Sequence, residues 1–446
     1  MSQTTNASQT AGVSQTTSAS QTASVTTVAG RVGDVKASVR RALSGTPGRL
    51  RILALLAVAV SLIFAVGAYS AFGSADDALR RGGANAAQLV RIQAIHTNLI
   101  RADADATNAF LVGGLEPADQ RASYTSSMEQ ASRLIAEAAK AQPADGPALG
   151  ALNGSVLTYA GLIEQARATN RQALPVGAQY LRVASSGLRS DALPILDALV
   201  KANDARVRAE FAAASGEPAA LVTSGALALL VLIGGMVWLS RRTHRYVNVP
   251  LVGATAAILV TLVVGFILLA SVSSRVGTVR DGSYAATLAT ATARIAAFDA
   301  KSNESLTLIA RGSGSAFEKA WLSSSNVVTA QSEVSAQLNN SAGRMGRLWK
   351  GYVRAHTQIR AKDDGGQWES AVKQAIGSDP TSANATFNAF DAGSGAALTA
   401  SSRVASDSLD APRNWLPFAA WLGLLVGIAA AVSAWWGVSL RLEEYR

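Results

Sequence analysis

The chain has no cysteine, only three histidines among 446 residues, and charged side chains at only 16% of positions. The first absence excludes disulfides, thiol nucleophiles and cysteine-ligated metals, so any part outside the cytoplasm must hold together by packing. His96, His244 and His356 are far apart in sequence and fall in three different regions of the chain. No HExxH, glycine-rich phosphate loop or G-x-S-x-G elbow occurs. "DDGG" at 363–366 followed by Glu369 lacks the alternating acids of a calcium loop. These observations predict a protein that is not an enzyme, with no cofactor and no metal.

Charge is scarcest in four apolar runs, 50–72, 219–239, 249–272 and 415–438. Each is about 20 residues long, enough for a helix rising about 1.5 Å per residue to cross a hydrocarbon layer of about 30 Å. Tyr69, Phe72, Trp238, Tyr246, Trp415, Trp435 and Trp436 lie near the ends of these runs, where interfacial aromatics are expected. Inside them, apart from Arg51 at the edge of the first, only Ser, Thr and Gly break the apolar pattern, which argues against a coupled transporter with ionisable groups at mid-membrane. The first run is longer than a signal-peptide core, so it is expected to remain as an anchor.

The net charge of +10 is unevenly placed. Residues 1–51, 240–248 and 438–446 carry eleven bases and three acids, while 73–218 and 273–414 together carry twenty-nine bases and twenty-seven acids. Bases confined to short flanks on alternate sides of apolar runs follow the positive-inside rule and point away from nucleic acid. The expectation is a multi-pass membrane protein. Both termini and the 240–248 loop would be cytoplasmic and both long polar regions extracytoplasmic. So little cytoplasmic sequence leaves no room for a catalytic domain.

Residues 1–30 open with the repeats "SQTTNA", "SQTAGV", "SQTTSA" and "SQTASV". They carry too little apolar surface to offset ordering entropy and read as a disordered cytoplasmic tail. Residues 31–49 place Val32, Val35, Val39 and Leu43 on one stripe and Lys36, Arg40 and Arg41 on others, predicting an amphipathic helix on anionic lipid. The span 439–446 would form a short cytoplasmic end.

The two polar regions share one plan. Leu89, Ile92, His96, Leu99, Asp103, Ala106 and Phe110 alternate at three and four, the seam of a packed helix. Leu288, Ala291, Ile295, Phe298, Ser302, Ser305 and Ile309 repeat that seam at a constant offset of 199. Gly113–Gly114, "PADGP" and "ALPVG" divide the first region into four helices, with a kink expected at Pro194. The fold class is all-α: four transmembrane helices and two tandem up-down four-helix bundles, related by duplication. The second region differs by a polar insert at 362–380.

Three groups of side chains are candidates for function. His96 and Asp103 on the seam read as a buried polar pair that fixes register. Alternatively "RADADATN" builds a pocket in which Arg101, Asp103, Asp105 and Asn108 orient a small ligand. Trp368 in the polar insert is either a cap on the bundle end or an interface anchor. Arg241, Arg242 and Arg245 either set topology or present charge to a partner.

"IRADADATNAFLVGG" and "LPVGAQYLRVASSGLRSDALP" resemble the GlnX-type membrane proteins of actinobacteria, and the layout over 50–440 loosely resembles the four-helix-bundle sensor domains of chemoreceptors. The resemblance implies two partners, an extracytoplasmic solute-binding lipoprotein for aspartate or glutamate and a cytoplasmic Ser/Thr kinase, protein kinase G. It implies a relay toward nitrogen and carbon metabolism and assigns no ligand residues. On this reading one chain packs as a monomeric pseudo-dimer. The lipoprotein would dock near Gly113, Gly114, Pro175 and Trp368, and the kinase near the three arginines. A non-sensory envelope or accessory protein is the alternative.

Overall fold

The computed structural model describes residues 45–112, 116–214, 219–243, 248–339 and 343–443. Among them there is no strand; the chain is all-α. In order the helices are α1 (Gly45–Val112), α2 (Ala118–Ala141), α3 (Gly146–Arg171), α4 (Val176–Gly187), α5 (Leu193–Ala214), α6 (Ala219–Thr243), α7 (Val249–Val279), α8 (Ala285–Ile309), α9 (Ser315–Asn339), α10 (Arg344–Asp364), α11 (Trp368–Ile376), α12 (Ala383–Arg413) and α13 (Leu416–Glu443). Four helical stretches are long and apolar enough to cross a membrane: Gly48–Val112, Val176–Arg241, Val249–Ile309 and Ala383–Leu440. In the apolar parts Leu230, Val249 and Phe418 are each more than 70% exposed, which suits side chains meant for acyl chains.

Contacts divide the chain into two units, Met1–Ala65 with Ser224–Val260 and Leu425–Arg446, and Val66–Thr223 with Thr261–Leu424. In the first unit Leu50, Ala54, Leu239 and Val438 form a small cluster edged by Trp238. Asn248 starts α7 there: its Oδ1 accepts from the Leu251 amide, and its Nδ2 donates 2.7 Å to the Gly437 carbonyl.

The second unit holds one hydrophobic cluster running through both polar regions. The outer helix α2 buries a single stripe, Tyr124, Ser127, Ala131, Ile135 and Ala138. The inner helix α8 differs, burying every residue from Ala300 to Leu308. A helix buried around its whole circumference must have neighbours on all sides. Its small Ala, Ser and Thr side chains allow them close, as in the 2.8 Å hydrogen bond between Thr290 and Ser335. The first bundle fills its core with aliphatics such as Leu149, Leu152, Val156 and Ile163. The second uses an aromatic chain in which Phe298, Tyr352 and Phe390 each meet Phe387 and Trp349 meets Tyr352.

Several expectations need correction. Residues 45–49 form the first turn of α1, continuous with the apolar run, not the end of a separate surface helix; 31–44 and the 1–30 tail lie outside the described residues. The helix of the 219–239 run continues to Thr243, and that of the last run to Glu443. The polar insert contains a helix, α11, whose Ala371, Val372 and Ala375 are buried. Near Pro194 the chain forms a wide π-turn, Leu188–Ala192, in which the Leu193 amide reaches back to the Leu188 carbonyl. Proline has no N–H and its ring crowds the carbonyl four residues back; the extra residue in the turn accommodates both. A second π-turn, Arg280–Tyr284, joins α7 to α8.

Candidate functional site

The inner helices bring the sequence-marked polar residues into two adjoining environments. The first centres on Asp103, which is fully buried. Its carboxylate accepts from Ser185 Oγ at 2.5 Å, Ser302 Oγ at 2.6 Å, Arg189 Nη1 at 3.0 Å and the Tyr159 hydroxyl at 3.4 Å. Four donors saturate it. Asp103 therefore fixes the packing and is not free to orient a ligand. The Ser302 contact joins two positions 199 apart, the same offset that relates the two seams. Arg189 extends the network by donating to Asp299 at 2.8 and 3.0 Å. Burial alone would lower the Arg189 pKa, but Asp103 and Asp299 together raise it, so the guanidinium stays charged. Arg189 lies in the π-turn, which sets its direction and which periodicity does not reveal.

The expected His96–Asp103 pair does not form. Seven residues along a helix separate two side chains by about 10 Å even when they share a face. His96 is buried, and burial lowers its pKa below the usual histidine value, so it is held neutral.

The second environment is a polar cleft of about 200 Å³. Arg101, Asp105 and Asn108 of α1 line it, with Gln120 and Ser123 of α2, Phe298 and Lys301 of α8, and Asn384 and Asp391 of α12. Arg101 lies over the Phe298 ring, 4.7 Å from its centroid, and Nη2 donates to both Asp391 oxygens at 2.8 Å. Arg294 Nη2 also donates to Asp391 Oδ1, at 2.6 Å. Asp105 accepts from Ser123 Oγ at 2.7 Å, and Lys301 donates to Glu304 at 2.8 Å. Burial pushes the Asp105 carboxyl up to about 6, against the opposing effects of Ser123 and Arg101. Asn108 is only 8% exposed, and its Nδ2 reaches Asn384 Oδ1 at 3.3 Å. Three buried polar atoms here have no partner: Arg101 Nε, Asn108 Oδ1 and Gln120 Oε1.

The predicted docking residues are only partly described. Pro175 and Trp368 line one groove of about 530 Å³ with Phe110, Leu174 and Arg311, beside the exposed Val112 and Val176. Trp368 is engaged with its own bundle: its indole N–H donates 2.8 Å to the Leu308 carbonyl, and Arg311 covers its ring at 4.0 Å. Gly113, Gly114 and Arg245 lie outside the described residues. Arg241 is exposed near the end of α6, and Arg242 is described only as helical backbone.

Sequence reading did not single out Arg189, Gln120, Lys301 or Asp391. Arg189 falls inside the quoted "LPVGAQYLRVASSGLRSDALP", but nothing in its local pattern points across the chain to Asp103.

Comparison with known proteins places this geometry in context. Residues 78–212, which hold Asp103, Asp105 and Arg189, match the family model described as the actinobacterial sensor domain. No curated protein and no solved structure matches the chain.

Proposed function

We propose that this protein is a transmembrane signal relay without catalysis of its own. On this reading, extracytoplasmic aspartate or glutamate, captured by a solute-binding lipoprotein, is reported to a cytoplasmic Ser/Thr kinase that controls nitrogen and carbon metabolism. The observation that carries the reading is the sensor-domain match over 78–212, a stretch that Asp103 and Arg189 tie to the second bundle through Ser302 and Asp299. Contact between two positions of equal rank in the seams is what a two-fold axis produces, so the halves are taken to act as a pseudo-dimer. The helix α1 runs without a break from its apolar part to the Asp103 seam. A shift of about 1–2 Å at the seam, typical of packed helices that switch, would therefore be carried along the helix.

The lipoprotein would dock on the groove at Pro175 and Trp368, where Leu174 and Val176 are exposed. Arg241, Arg242 and Arg245 would face the cytoplasm and offer the kinase a basic contact. The test is co-purification from detergent extract with and without added aspartate or glutamate. Capture of the lipoprotein should depend on the amino acid and fall at least tenfold or so in the Leu174→Asp, Val176→Asp double variant, since charge in an apolar contact carries a full desolvation cost. Capture indifferent to both amino acids would refute the reading.

A further inference from the structure

The cleft beside Asp103 has properties that register alone does not require. A polar group left unpaired in a buried setting costs about 1–3 kcal/mol, so three in one cleft are a persistent cost unless something meets them. The unmet groups are unequal in kind. Asn108 Oδ1 and Gln120 Oε1 are acceptors, and the Asp105 carboxylate lining the same cleft accepts from Ser123. Arg101 Nε is the one unmet donor. The charged groups lining the cleft are Arg101 and Lys301 against Asp105, Asp119 and Asp391, an excess of one negative charge. Arg101 is already committed to Asp391, and Lys301 to Glu304. An anion would meet few free donors here. A group rich in N–H and carrying positive charge would meet three acceptors.

We propose that this cleft binds a small protonated amine directly, the ammonium donating to Asp105, Asn108 Oδ1 and Gln120 Oε1 while an acceptor on the same molecule receives Arg101 Nε. The volume of about 200 Å³ leaves room for a small molecule. The walls come from α1 and α2 of one bundle and α8 and α12 of the other, so an occupant would bridge the two halves. This goes beyond the relay reading, since it assigns a ligand to the chain itself and not to a partner.

The experiment is isothermal titration of the purified full-length protein in detergent, with no partner present, so its failure leaves the relay reading standing. Ethanolamine and glycine both carry an ammonium with an acceptor; methylamine carries the ammonium alone. Betaine, whose nitrogen has no N–H, acetate and calcium are the controls. Ethanolamine, glycine or both should bind saturably, more tightly than methylamine, and the controls should not. Which of the two binds separates a hydroxyl from a carboxylate at Arg101. Asp105→Asn should weaken binding about tenfold or more, the usual worth of a hydrogen bond to a charged group. Gln120→Leu, at a half-buried site of α2, should weaken it severalfold and serves if Asp105→Asn fails to fold. Below about pH 6 a proton competes with the ammonium for Asp105, so affinity should fall about tenfold between pH 7 and pH 5. The groups around Asp105 are Arg101 on its own helix, Glu116 just before α2, Asp119 in its first turn, Lys301 on α8 and Asp391 on α12. Absence of binding by every amine up to about 10 mM would overturn the proposal. So would equal binding of betaine, preference for calcium, or affinity unmoved by either variant.

Discussion

Asp103 offers the sharpest test of how the second unit is held together. In Asp103→Ala the carboxylate disappears from a fully buried position, and Ser185, Ser302 and Tyr159 lose a common acceptor. Arg189 keeps Asp299 and the Ser185 carbonyl but loses half of its charge compensation. Breaking a buried, hydrogen-bonded charge pair from one side costs about 3–5 kcal/mol. At about 2–4 °C per kcal/mol for a large domain, the melting temperature should drop on the order of 10 °C. Asp103→Asn keeps the shape and one acceptor but turns an amide toward the donors, so it should lose about half as much. Ser302→Ala removes one hydroxyl and should cost about 1 kcal/mol by itself. Since Ser302 and Asp103 touch, the double variant should be non-additive by about 1 kcal/mol or more. The assay is thermal unfolding in detergent, followed by intrinsic fluorescence and by circular dichroism. Additivity within about 0.5 kcal/mol, or an Asp103→Asn melt within about 1 °C of the parent, would show that the contact does not join the halves.

Other expectations follow from sites elsewhere in the chain. Buried Glu304 receives Lys301 at 2.8 Å and His356 at 2.9 Å, and the His356 ring stacks on Trp321 at 3.6 Å. Burial alone would raise the Glu304 pKa, yet Lys301 and His356 hold it at about 2; Glu304 and Glu318 likewise outweigh burial and raise that of His356. The Glu304 contribution is thus present above its ordinary value of 4.5, and the His356 contribution is complete below 6.5 and lost as pH climbs through the raised value. Melts should show this bundle losing stability from about pH 6.5 toward pH 9, and Glu304→Gln, costing about 3 kcal/mol, should flatten that slope; a parent protein with no slope would contradict the assignment. A Cβ at Gly423 would lie 2.9 Å from the Ala68 Cβ, whereas one at Gly83 would meet nothing within 4 Å. Gly423→Val should therefore destabilise by about 1–3 kcal/mol and Gly83→Ala should stabilise by about 0.5–1 kcal/mol, and melts that reverse this order would count against the packing. With no native thiol, single cysteines report sidedness cleanly. Ala144→Cys and Asp364→Cys, both at exposed positions, should react with an impermeant reagent in intact cells and Arg241→Cys should not; the opposite pattern would invert the topology.

Some of this was legible in the sequence and some was not, for physical reasons. Uninterrupted apolar length announces a spanning helix, and three-four alternation announces a packed one, because both are properties of a single helix. The all-α class follows from those local signals. What an inner helix touches on its other sides is not local. The run "AKSNESLTL" at 300–308 reads as half polar, yet every residue in it is buried. Three of its polar groups find partners on other elements: Ser302 on Asp103, Lys301 on the Ala375 carbonyl, Glu304 on His356. The π-turn at Leu188–Ala192 was equally hidden. Pro194 signals that a regular helix must yield nearby, but not that it yields by widening one turn and redirecting Arg189.

The same distinction explains why "RADADATN" carried the candidate site only in part. Arg101, Asp105 and Asn108 are spaced four and three apart and share a face of α1, and that face lines the cleft. Asp103 is two residues, about 200°, away from either neighbour, so the pattern that unites the other three sends it into the core. Helical spacing thus separates the structural carboxylate from the accessible one. It cannot say that Gln120 lies opposite, or that Asp391 neutralises Arg101, because those depend on how two distant parts of the chain are docked. The docking depends in turn on Asp103. A carboxylate read from sequence as one half of a local pair with His96 is the link that brings the second bundle against the first, and so builds the far wall of the cleft. If that link is loosened, the amine site should open as well: Asp103→Asn should weaken any ligand of the cleft without touching it.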